Sequence, residues 1–227
     1  MHHLTTKKIS LALFGILTFI STFIKLSPVL GSFKFSLTSV GIMLPLIGGF
    51  ANLPAASLFI VAYGLYRVLR AVGAATFGIP LFFATANWNI QTAALINNSR
   101  KINIARFFMN VVVPIICMTL FVAHPVGGQA FVYASFWLIP ICLYILQMFN
   151  FHNIFSIALG STFIAHGIGS VMWIYMVPMT AEQWIALMPL ALAERLTMAA
   201  ASSIIFMGIQ KTSTRLNNIW LTSKKTV

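Results

Sequence analysis

TAEQWIALMPLALAERLTMAAASSIIFMGIQ, residues Thr180–Gln210, reads as one long apolar helix with Glu194 and Arg195 side by side in its middle. At about 1.5 Å per residue, Glu194 lies about 20 Å along a helix that starts near Thr180. Charge at that depth in an apolar helix is expensive in lipid unless it is paired or faces a polar cavity, so it marks a functional position by default. Successive helical residues point about 100° apart, so the two are expected to turn away from one another. Glu194 then needs a cation on another helix, for which Arg67 and Arg70 are the charge partners at hand. Arg195 is left for an anionic substrate group, such as a carboxylate. Pro189, lacking an N–H, is expected to kink the helix just before the pair.

Working outward, the 227 residues are 59% apolar and 7% charged. Soluble domains carry about 25% charged residues, so this chain cannot build a water-facing surface. The fold class that follows is all-α: a polytopic α-helical integral membrane protein with six to eight transmembrane helices, one or two of them broken or re-entrant. A net charge of +12 from 14 Lys and Arg against two Glu gathers in short clusters beside apolar runs. Such clusters orient a membrane protein and lack the aromatic interleaving of a nucleic-acid face. With no Asp in the chain, two-metal phosphoryl transfer and carboxylate-pair glycosidase chemistry are excluded, since both need clustered acids. Cys117 and Cys142 lie in apolar runs without CxxC spacing and read as buried side chains. No motif supports an enzyme, a resident metal or a cofactor.

The chain divides into N-terminal helices (8–96), a basic cytoplasmic loop (97–106), four C-terminal helices (107–210) and a basic cytoplasmic tail (211–227), all in one transmembrane domain (1–227). Lys7 and Lys8 precede ISLALFGILTFISTFI, read as an uncleaved first span. Ala75–Ile96 is apolar but interrupted by Pro80, Asn87, Asn89 and Gln91; it fits a full span, a broken helix or a re-entrant segment. Irregular backbone at membrane depth survives only where protein or a cavity covers it, which makes Asn87 and Trp88 binding-site candidates. Four apolar runs between Arg100 and the tail place both termini and that loop on one side, and the positive-inside rule makes that side cytoplasmic. In a bacterial setting this is the inner (plasma) membrane.

FVAHPVG, Phe121–Gly127, recurs as FIAHGIG, Phe163–Gly169. Repeated segments in transporters flank binding sites. His124 and His166 at the centre of the two copies are candidates for interhelical hydrogen bonds, for substrate contact or proton relay, or for haem or metal ligation. Met172, Met176 and Met179 stand at helical spacing, as apolar filler or as a thioether path for a soft cation. Trp88 and Trp173 are placed to stack on a ring-bearing ligand. The substrate-binding set is therefore Glu194, Arg195, His166, Trp173, Asn87, Trp88 and His124.

In the first third, SFKFSLTSV follows a Pro-Gly turn, and a Gly-terminated helix, a Tyr-containing helix and GIPLFFA come next. At Phe35, Thr38, Gly48, Tyr63, Gly78, Pro80 and Phe82 this resembles the S components of energy-coupling-factor transporters, the biotin-type ones most closely. The resemblance implies a membrane-embedded substrate-binding subunit served by a coupling ATPase and a transmembrane partner. The family's A-x-x-x-A docking motif is missing, since Ala12 is followed by Ile16. The function expected is a transporter or permease subunit binding a small anionic or ring-containing metabolite in the bilayer. The alternative classes are a scaffold or assembly protein whose buried charges only fix packing, and a His-ligated haem or metal membrane protein.

Overall fold

The computed structural model describes residues 2–21, 25–26, 29–30, 33–34, 37–38, 42, 44–50, 75–96 and 104–223. Arg67 and Arg70, named as charge partners of Glu194, lie outside the described residues, as do Phe35 and Tyr63. The described architecture is helical, apart from two short antiparallel ladders, one with Lys25 opposite Thr38 and one with Leu30 opposite Phe33. The helices are α1 (His2–Ser21), α2 (Ile47–Phe50), α3 (Ala75–Ile96), α4 (Ile104–Ala123), α5 (Pro125–Gln129), α6 (Leu138–Met148, led in by a 3-10 stretch Phe131–Trp137), α7 (Ile154–Met176), α8 (Ala181–Ala186) and α9 (Met188–Ser223).

Among the described residues four helical stretches are long and apolar enough to cross a membrane: Ile104–Ala123, Phe131–Met148, Ile154–Met176 and Ala181–Ile219. These are the four C-terminal runs expected from the sequence. The chain is a helical membrane protein by that criterion. Large apolar side chains such as Ile115, Ile116, Leu120, Ile145, Leu146, Ile204 and Met207 point outward, as a lipid-facing surface requires.

α7 is the axis of the bundle and packs on α3, α9, α4 and α6. Its start is encoded locally. The Asn153 side chain accepts from Ser156 N at 2.9 Å, and the Ser156 hydroxyl accepts from Asn153 N, a reciprocal cap that satisfies two otherwise orphaned donors. α8 starts the same way, with Thr180 and Gln183 as the reciprocal pair.

Two expectations about continuity need correction and one open reading is narrowed. The Thr180–Gln210 stretch is two helices, because Pro189 has no N–H for the Ile185 carbonyl; the first helix ends at Ala186, with Leu187 as its C-cap, and Pro189 falls in the first turn of α9, where a missing donor is tolerated. Ala75–Ile96 is one unbroken helix with Pro80 inside it, and among the described residues it is not one of the long apolar four. It is an interior helix, antiparallel to α7, and Thr85, Asn87, Trp88, Gln91 and Thr92 on it are buried. Finally, α9 does not stop at Gln210 but runs on to Ser223. Ser213 and Asn217 on that extension are buried, and Ser10 of α1 donates to Ser213 Oγ at 2.7 Å.

Two apolar cores hold the bundle. One gathers Phe121, Tyr133, Trp137, Phe163 and Trp184, with Phe121 stacked on Tyr133 at 5.5 Å and edge-on to Trp137 and Trp184. The other stacks Phe50 on Phe206 at 4.7 Å, between Phe14 and Trp88. With Ser10 at Ser213 and Phe14 near Phe206, α1 and α9 run antiparallel. α2 lies against α3 so closely that a Cβ on Gly48 would collide with the Thr85 carbonyl, and Asn89 Nδ2 donates to the Gly48 carbonyl at 2.8 Å.

The sequence echo is not a structural repeat. In the first copy the backbone turns extended at His124 and α5 starts at Pro125, as the restriction on a residue before proline demands. The second copy stays inside α7. What the copies share is a fully buried phenylalanine, Phe121 and Phe163.

Candidate functional site

The residues nominated from the sequence fall into three places. His166, Glu194 and Arg195 come together on α7 and α9. The Tyr133 hydroxyl and His166 Nε2 share a hydrogen bond of 3.0 Å. Ser170, one turn along α7, stands beside the same phenol, and the charges of Arg195 and Glu194 reach Tyr133, with Arg195 also acting on His166. His166 is edge-on to Phe163 and Phe136, and Tyr133 is edge-on to Trp184 at 4.9 Å. The result is a polar knot inside a wall of rings.

Contrary to the expected divergence, Arg195 Nη2 and Glu194 Oε2 meet at 2.9 Å. The 100° offset holds for the Cβ directions, but the arginine stem is long enough to fold back across it. Arg195 is 14% and Glu194 28% exposed in their side chains. The pair uses one edge of the guanidinium. Arg195 Nε is buried without a partner, so one donor of the planar fork is unused.

Asn87 belongs to a second polar group, a seam where α3, α4 and α7 meet. Asn110 Nδ2 donates to Asn87 Oδ1 at 3.0 Å and to the Arg106 carbonyl at 2.8 Å, and Asn87 Nδ2 donates to Ser161 Oγ at 2.9 Å. Such a closed chain satisfies groups whose burial would otherwise be costly. Next to it lies Arg106, which the sequence placed in a basic loop. α4 already begins at Ile104 and Arg106 is buried.

The remaining candidates sit apart. Trp88 is in the Phe50–Phe206 core. Trp173 is 51% exposed and donates to Met179 Sδ at 3.2 Å. His124 caps α5 by accepting from Val126 N at 3.3 Å, with its ring edge-on to Tyr175. The two histidines therefore have different partners. α7 ends at Met176, so Met179 is beyond it and the three methionines do not form one helix face. Among the described residues no group of three His, Cys, Asp or Glu could hold a metal.

Sequence reasoning missed Tyr133, Ser170, Asn110 and Arg106. Spacing offered a hint for Ser170, four residues after His166 and so on the same helix face. For the others the signal is pairing between helices, which no single stretch displays. The chain matches no protein-family model, no curated protein and no solved structure.

Proposed function

We propose that this chain is a substrate-binding transporter or permease subunit of an inner membrane. Its ligand is a small metabolite bearing a ring and a carboxylate or similar acceptor, bound where Tyr133, His166, Ser170, Glu194 and Arg195 converge. The observation that carries this reading is the half-used guanidinium. Arg195 holds Glu194 through Nη2 while its Nε has no partner in a buried position. A buried donor left unpaired is costly, and an acceptor on a solute would satisfy it. The surrounding rings supply the flat apolar walls that small-molecule pockets use.

In the full proposal the chain crosses the bilayer six to eight times with both termini cytoplasmic. Following the resemblance of its first third to S components, a coupling ATPase and a transmembrane partner supply the energy. The scaffold reading is favoured by one observation: the Glu194–Arg195 pair closes within a single helix and needs nothing else to neutralise it.

Native mass spectrometry of protein purified in mild detergent, with extraction of bound metabolites, tests the two. A co-purifying small molecule that disappears in both Arg195→Met and Tyr133→Phe, and persists in Arg215→Ala, is the expected result. Transport reading and site both fail if Glu194→Gln with Arg195→Met lowers stability but leaves binding and uptake of every candidate solute unchanged.

A further inference from the structure

A different arginine raises a separate question. Arg106 is the third residue of the Ile104–Ala123 span, so its Cα is only about 3 Å from the helix end. An arginine there normally extends its stem to the interface and keeps its charge in water. Arg106 instead turns inward and is 6% exposed. Its Nε donates to Gln91 Oε1 at 3.2 Å, its Nη2 donates to Gln147 Oε1 at 2.8 Å, and its guanidinium lies 5.9 Å from the Tyr144 ring centroid. Among the described residues no carboxylate answers it. A buried charge held only by neutral amides keeps most of its desolvation penalty.

Beside the two amide oxygens that accept from it, this cation has an unfilled donor close by. Because Gln91 Oε1 must face the guanidinium to accept from it, the amide orientation is determined. Gln91 is 1% exposed and its Nε2, on the same planar amide, is buried without a partner. His152, on the connection between α6 and α7, also has a buried, unpartnered Nε2, and the Arg106 charge acts on it. One fixed positive charge on α4 and one unfilled amide donor on α3, with Gln147 of α6 holding the guanidinium at the same end of the bundle, are the complement of a small anion with two acceptor oxygens. The widened turn Phe108–Val112, which begins two residues after Arg106, is of the kind that concentrates at functional sites.

We propose that Arg106, Gln91 and Gln147 form an anion-binding site, distinct from the Arg195 cluster, for a monovalent oxyanion: a carboxylate or a phosphodiester. His152 is neutral at pH 7, as burial and the Arg106 charge push its pKa down to about 4. The site therefore presents a single positive charge and matches a single negative one. A carboxylate would come from solution and a phosphodiester from a phospholipid headgroup, since the site lies where a span begins.

The test uses delipidated full-length protein in detergent, titrated separately with hexanoate, phosphatidylglycerol and sulfate while the thermal midpoint is followed. Hexanoate or phosphatidylglycerol is expected to raise the midpoint, and sulfate at the same concentration much less. Response to hexanoate alone assigns a soluble ligand, and response to phosphatidylglycerol alone a lipid. Arg106→Gln should weaken the apparent affinity about tenfold or more, the scale of a hydrogen bond to a charged group. Arg215→Ala, an exposed cation near the same end of α9, should not change it. If Arg106→Gln does not fold, Gln91→Met decides by the same titration, and a several-fold loss is expected. The proposal is overturned if no probe shifts the wild type, if sulfate binds as tightly as the monoanions, or if Arg106→Gln and Gln91→Met bind as the wild type does.

Discussion

The Glu194–Arg195 contact shows how far a single side chain can depart from what its backbone position implies. Angular offset on a helix decides which faces two Cβ atoms point to, but Arg reaches across it. The contact makes a prediction. Arg195→Met leaves Glu194 in a largely buried place without its partner and should destabilise more than Arg195→Met with Glu194→Gln. The difference should stay below the about 3–5 kcal/mol of a fully buried pair, because Glu194 is partly exposed. A double-mutant cycle on thermal midpoints measures it, and additive losses would show that the pair contributes nothing.

His152 makes a second residue-scale prediction, about pH. It lies between the second and third apolar spans, and burial first and the Arg106 charge second lower its pKa from 6.5 to about 4. Between those values the unfolded chain binds a proton that the folded one does not. Its contribution to stability therefore falls as pH drops from 6.5 towards 4 and is flat above and below that window. Histidine-selective NMR should find a ring titrating near pH 4 in the wild type and higher, though still below 6.5, in Arg106→Gln, because burial, the larger cause, remains. A wild-type midpoint at 6.5 would contradict the placement of His152 beside that cation.

Among elements, α3 matters most for the interior. Its polar residues weaken it as a lipid-facing span, and the structure puts those residues against α4, α7 and α2 instead. The approach of α2 relies on Gly48, whose Cβ position is occupied by the Thr85 carbonyl, whereas a Cβ at Gly208 in α9 meets nothing within 4 Å. Gly48→Ala should therefore destabilise by about 1–3 kcal/mol, as overpacking does. Gly208→Ala should be neutral or stabilise by about 0.5–1 kcal/mol through helix propensity alone. Thermal midpoints of the two variants in one detergent should move in opposite directions or differ clearly; equal shifts would contradict the α2–α3 contact.

For the whole molecule, the polar C-terminal segment is structural rather than a free tail. Ser213 and Asn217 are buried and Ser213 meets Ser10 of α1. Truncation after Gln210 should lower yield and broaden the size-exclusion profile, while truncation after Ser223 should not. Equal behaviour of the two would show that α1 does not depend on the end of α9.

Composition by itself determined the class, because 7% charged residues cannot cover a protein in water. The four C-terminal spans were legible for the same reason: long apolar runs have one stable form in lipid. Helix starts at Thr180 and Asn153 were local too, since a capping pair is written within four residues. Tertiary structure alone decided which polar groups meet. Asn87 with Asn110 and Ser161, Tyr133 with His166, and Arg106 with Gln91 and Gln147 join residues up to 74 positions apart. In a chain this apolar, a polar side chain signals that it needs a partner, and only the packing of helices determines which partner it finds.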